Sequence, residues 1–255
     1  MIIFKTSNGQ RFEYPHELKD ITLKQYLTYL DLVQPQRPEI LLKIDSLNDK
    51  LIQAQDENDK KGTAQFQKEL DEAIASIDDI VTYQKLFPYY AKVVSYWSGL
   101  NESVILGKGE NEGMNTNDLT NLYLHITKIL NDLTTVEYSN VIEVDGEFWY
   151  LPEQYLKNAT VIEFAESSQF LANMKKVEGG QWYAISKIMC VLVRKKDEKY
   201  SDSLLRREEM FLGWNLENVW RVAFFLLRLN VKYQLSINNY ISAQQLTKLK
   251  LALKN

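Results

Sequence analysis

The residues able to do chemistry are few and dispersed. His16 and His125 are the two histidines of this 255-residue chain, and Cys190 is its one cysteine. Zinc takes three or four Cys, His or carboxylate ligands, usually at short spacings. One thiol and two imidazoles this far apart in sequence form no such set. Cys190 sits in the run Ile188-Met189-Cys190-Val191-Leu192-Val193. There it reads as a buried thiol packing as a small hydrophobe rather than as a nucleophile. No serine stands in a nucleophile elbow, and no Cys-His spacing suggests a pair.

Carboxylates are the remaining option for acid–base or metal chemistry. Asp78-Asp79 and Glu208-Glu209 are adjacent, so on a helix their side chains diverge. Glu163 and Glu166 are three apart and can share a face, but no Glu-x-x-His motif completes a metal set. The stretch Gly107-Lys108-Gly109-Glu110-Asn111-Glu112-Gly113 invites a phosphate-loop reading. It lacks the GxxxxGK[ST] spacing, and no clear strand precedes it. Arg194, Lys195, Lys196, Lys199, Arg206 and Arg207 form the one basic patch. Asp197, Glu198, Asp202, Glu208 and Glu209 interleave with it and weaken its pull on phosphates. It reads as a helix end followed by a solvated turn, with contact to an acidic partner as the alternative. No catalytic, cofactor-binding or metal-binding residue is assigned. An enzyme with a site gathered around Glu163 and Glu166 is the alternative outside this reading.

The bulk properties agree. Thirty basic residues against 34 acidic ones leave a net charge of −4, which implies no general attraction to nucleic acid. A single cysteine forms no intrachain disulfide. Met1-Ile2-Ile3-Phe4-Lys5 is too short in its apolar part for a signal peptide. The most apolar run, Val222 to Leu227, lies between Arg221 and Arg228 and predicts a buried helix, not a membrane span. Fifteen Tyr, 10 Phe and 5 Trp supply an amphipathic aromatic inventory suited to cores and protein interfaces.

The elements that would position these residues are mainly helical. Residues 1–14 predict a β-hairpin turning at Ser7-Asn8-Gly9 and ended by Pro15. Thr22 caps a helix carrying Leu23, Tyr26, Leu27 and Leu30, closed by Pro35 and Pro38. A helix from Leu86 to Trp97, kinked or restarted by Pro88, ends at Ser98-Gly99. Thr116 or Asn117 caps a helix through Leu133. Val141–Tyr150 reads as a second hairpin turning at Asp145-Gly146. Thr160 and Glu163 form a capping box for a helix to about Lys175, broken by Gly179-Gly180. Further helices are predicted at 182–195, 202–212, 215–232 and, with alternating lysines, 246–253.

One device stands out. Ile40, Ile44, Leu47, Leu51 and Ala54 step by four and three, and so do Phe66, Leu70, Ala73, Ile77 and Ile80. Asp56 to Gly62 separates them without an apolar residue. One apolar stripe per arm needs a partner, and the nearest is the other arm. Residues 38–80 therefore predict a helical hairpin made for contact. Candidate contact residues are the outer faces of its arms, Trp149, Tyr150 and the 246–253 helix.

The segments Ile21-Thr22-Leu23-Lys24-Gln25-Tyr26 and Ser95-Tyr96-Trp97-Ser98-Gly99-Leu100 carry a resemblance. Glu163-Phe164, Val191-Leu192-Val193-Arg194, Tyr200 and Arg206-Arg207 extend it. Together they resemble virion or tail-assembly proteins of the crAss-like bacteriophages of Bacteroidetes, over residues 16–230. The resemblance implies a non-enzymatic structural component of the virion, in the tail or neck, made in the bacterial host cytoplasm. A tail-assembly chaperone absent from the finished particle is the alternative. It implies other tail or virion proteins as partners, and itself as a homo-oligomer. Specific nucleic-acid binding and cofactors are not expected. The expected fold is mainly α: a multi-helical body with a protruding antiparallel helical hairpin and small β-hairpins. Two parts are expected, residues 1–100 and 114–255, with 107–113 between them.

Overall fold

A computed structural model describes residues 1–6, 9, 11–77, 80–108, 113–131, 136, 139–152, 169, 180–199 and 201–225. They are mainly helical, with an antiparallel helical hairpin and two small antiparallel β-hairpins. The predicted fold class therefore holds. Contacts group the chain into two units. The first comprises Met1–Glu17 and Thr28–Asn131, the second Leu18–Leu27 and Asp132–Asn255. The division falls after Asn131, and the described parts of the 107–113 loop lie within the first unit.

In the first unit, β1 (Ile2–Lys5) pairs with β2 (Arg11–Tyr14), with Ile2 opposite Tyr14. Alternation turns Phe12 and Tyr14 into the core. Of the predicted turn, Ser7 and Asn8 lie outside the described residues. Gly9 has φ +88° and donates its N–H to the Thr6 carbonyl at 2.9 Å. Helix α1 (Leu23–Leu32) is followed by a 3-10 turn at Gln34–Gln36.

Helices α2 (Glu39–Asp56) and α3 (Lys60–Ile77) form the hairpin. Leu47, Leu51, Leu70 and Ala73 are buried between them, with Ile40, Ile44 and Phe66 packed alongside. The break between the arms is shorter than its charged sequence suggests. Asn58 adopts φ +56°, its N–H reaches the Gln55 carbonyl, and the Asp59 N–H reaches the Ala54 carbonyl. This is the left-handed stop of a helix, tolerated by asparagine. Asp59 then starts the next arm, its Oδ1 accepting from the Lys61 N–H at 3.1 Å. The second arm thus begins at Lys60, inside the Asp56–Gly62 stretch that separates the two stripes. The Asp59 carboxylate satisfies a free first-turn donor there.

Ile80 opens α4 (Ile80–Ser98) rather than closing the second arm, and Pro88 lies inside that continuous helix. Asn101 caps the single-turn α5 (Glu102–Ile105), its Oδ1 taking the Ser103 N–H. α6 (Thr116–Asn131) is capped by Asn115, not by Thr116 or Asn117, because Asn115 Oδ1 accepts the Asn117 N–H at 2.8 Å. Leu133, its predicted end, lies outside the described residues. Tyrosines fill the space between α1, α4 and α6. Tyr90 stacks on Tyr123 at 3.9 Å, Tyr89 meets Tyr123 edge-on at 6.0 Å, and Tyr29 packs on Tyr96 and Trp97. The buried Tyr14 hydroxyl donates to the Leu122 carbonyl at 3.2 Å.

In the second unit, β3 (Val141–Val144) pairs with β4 (Glu147–Tyr150), with Ile142 opposite Trp149. Asp145 and Gly146 have φ of +52° and +78°, the turn that Asp-Gly predicts. α7 (Gly180–Leu192) buries Ile185, Ile188, Met189, Val191 and Leu192. It stops three residues before the expected Lys195. Arg194 instead exchanges backbone hydrogen bonds with Tyr150, at 2.7 and 3.1 Å, forming an isolated bridge to the end of β4. The predicted 202–212 helix is a 3-10 segment, Asp202–Arg207, running into α8 (Glu208–Leu212).

Residues 216–225 are helical, with Leu216, Val219, Val222 and Phe225 buried. Their cap, Asn215, bridges to Thr22, whose own side chain forms a reciprocal cap with Gln25. The capping box at Thr160 and Glu163, its helix to Lys175 apart from Gln169, Gly179, the remainder of the 215–232 helix and the 246–253 helix lie outside the described residues.

Candidate functional site

Among the described residues the chemistry-bearing side chains do not converge on one centre. The exception is the histidine pair. His16 and His125, 109 positions apart, stack with ring centroids 5.8 Å apart and planes 17° from parallel. His125 Nε2 lies 3.0 Å from the Pro15 carbonyl oxygen. Parallel rings at this distance do not aim two nitrogens at one metal. Among the described residues no three His, Cys, Asp or Glu side chains are grouped to hold a metal ion.

Cys190 is fully buried. Burial first, and then the Glu208 carboxylate, push its thiol up to about 12. Glu208 and Glu209 diverge as adjacent helical residues must. Glu208 accepts from the Ser186 hydroxyl at 2.9 Å, and Glu209 pairs with Lys24 at 2.6 Å. Asp78, Asp79, Glu163 and Glu166 lie outside the described residues.

The basic patch is partly structural. Arg207 hydrogen-bonds Glu198 with both of its terminal nitrogens. This contact holds the Glu198 carboxyl below the usual carboxylate range. Lys195 pairs with Glu147 at 2.7 Å. Lys195 Nζ and the Arg207 guanidinium also stand over the Trp149 ring, at 5.3 and 5.7 Å. Phe211 and Trp214 meet the same ring edge-on at 5.9 and 5.6 Å. These contacts place Trp149 inside the second unit, with 3% of its surface exposed.

Trp149 is therefore a core residue, which corrects its reading as a contact residue. Alternation along β4 explains why: with Trp149 inward, Phe148 and Tyr150 face the other side. Phe148 is 53% exposed, and Val141 is exposed on that same face. The sequence signal was present, since one inward residue in Glu147-Phe148-Trp149-Tyr150 decides the other three. Which aromatic turns inward depends on the cluster around it. Tyr150 is half-buried, and its backbone is committed to Arg194.

The outer faces of α2 and α3 are exposed. Glutamines hold acids four residues on, Gln53 to Glu57, Gln65 to Glu69 and Gln67 to Asp71, at 2.8–2.9 Å. Such pairs support each helix by a few tenths of a kcal/mol. Leu42, Ile52 and Ile74 break the polar surface.

The segments that carry the phage resemblance have structural roles. Thr22 and Gln25 cap α1. Ser95 donates to the Leu100 carbonyl, Leu100 donates to the Ser98 hydroxyl, and Gly99 has φ +71°, together closing α4. Glu163, Phe164 and Tyr200 lie outside the described residues. No protein-family model, curated protein or solved structure matches this chain. Among the described residues no helix is long and apolar enough to cross a membrane.

Proposed function

We propose that this chain is a structural component of a tailed-bacteriophage virion, in the tail or neck, and that it works by protein–protein contact. The observation that supports this reading is the α2–α3 hairpin. One narrow apolar stripe closes it on itself, and the outer faces of two 18-residue helices are left for other surfaces. The resemblance of the 16–230 region to crAss-like virion and tail-assembly proteins supplies the setting.

The test is quantitative mass spectrometry of intact, density-purified particles from a phage that encodes this chain. A fixed stoichiometric multiple of the chain per particle is the expected result. Absence from particles, with abundance in infected-cell lysate, would overturn the structural role and leave an assembly chaperone whose client is another tail protein.

A further inference from the structure

The net charge of the chain is concentrated in the hairpin. Residues 39–77 hold nine carboxylates against five lysines, a net of −4, which equals the net charge of all 255 residues. Within α2 the charges segregate by face. Lys50 lies toward α3, its Nζ 6.0 Å from the centre of the Phe66 ring. The opposite side presents Leu42, Asp45, Asp49, Ile52 and Asp56, spaced by three and four, with no basic residue among them. Leu42 and Ile52 are 50% and 56% exposed. Asp45 is held by Arg37. Asp49 and Asp56 are exposed and, among the described residues, in no ion pair. An acidic face with two aliphatic side chains seats an amphipathic segment of opposite charge.

The chain itself contains such a segment. Leu246, Leu249 and Leu253 recur at three and four, and Lys250 and Lys254 border them. On a helix this spacing sets a leucine stripe beside two ammonium groups, the complement of Leu42 and Ile52 beside Asp49 and Asp56. We infer that the outer face of α2 receives the 246–254 segment of a second copy of this chain. Such a contact joins two different surfaces, so each copy can give and receive, and copies add head to tail. The inference rests on the contact-making function proposed above and names one of its partners.

Sedimentation velocity of the full chain, from low micromolar to about 100 µM, tests this. Concentration-dependent association is expected, weakening as salt is raised because the ion pairs are solvent-exposed. The double change Asp49→Lys with Asp56→Lys should weaken association at least about tenfold, and Lys250→Glu with Lys254→Glu should do the same. Mixing the two variants should restore association between them. A lysine at position 56 suits a helix C-terminus, so the acidic-face variant should keep its fold, which circular dichroism would check. A chain that stays monomeric throughout, or an association that neither variant changes, overturns the inference. Neither result would alter the particle composition by which the structural role is judged.

Discussion

The thiol of Cys190 is shut off by position and by charge. It lies in the apolar face of α7, and burial with the nearby Glu208 carboxylate pushes it up to about 12. Thiolate is the reactive form, and a free cysteine titrates near about 8.5. At about pH 8 the folded protein should resist an aromatic disulfide reagent, while the chain in denaturant should react at once. Equal rates in the two states would contradict the buried placement. The apolar run around Cys190 made that placement legible beforehand. The stacking of His16 on His125 was not legible, because it needs β2 and α6 to meet. Trp149 shows the same limit. An aromatic-rich strand announces that one ring is inward, and only the Phe211, Trp214, Lys195 and Arg207 side chains around it decide which.

At the scale of elements, the hairpin rests on side chains that close packing makes sensitive. Leu70→Ala should cost about 2–5 kcal/mol through lost burial and the cavity left against Leu47 and Leu51. Chemical denaturation should show it as a fall in midpoint. The turn makes a finer prediction. Gly62 lies in the first turn of α3, where alanine would ordinarily gain about 1 kcal/mol. A Cβ there would stand 2.4 Å from Asp59 Oδ2, so the capping carboxylate must move. Gly62→Ala should therefore gain little in the native background. In an Asp59→Ala background, already weaker by about 1 kcal/mol, it should regain most of its helical benefit. Additive effects of the two changes would refute the clash. The arms themselves could be read from their three-and-four spacing, which is a local property of α-helix geometry. The caps at Asp59 and Asn115 could not, because neighbouring polar residues offered the same chemistry one or two positions away.

For the whole molecule, buried tyrosines tie stability to alkaline pH. In the first unit, burial raises Tyr14 well above its ordinary value, raises Tyr89 and Tyr90 in the same direction, and lifts Tyr123 to about 12. An unfolded tyrosine releases its proton near pH 10. Between that pH and about 12 the unfolded chain binds fewer protons than the folded one, so stability falls as pH rises through this window. Below the window these groups leave stability flat. Each fully buried tyrosine contributes a slope of about 1.4 kcal/mol per pH unit there. Thermal melts at stepped pH should show the midpoint dropping from about pH 10 upward. Replacing both Tyr89 and Tyr90 by Phe should flatten the drop.

The sequence by itself determined the helical class, the two hairpins, the pairing of the arms and the burial of Cys190. Each follows from periodicity or turn chemistry within a short window, where neighbouring residues alone decide the outcome. Only the tertiary structure decided that Trp149 is core and Phe148 is surface, that Arg194 leaves its helix to pair with Tyr150, and that two distant histidines stack. Those outcomes depend on which elements lie against which, and packing free energy sums over side chains from separate parts of the chain.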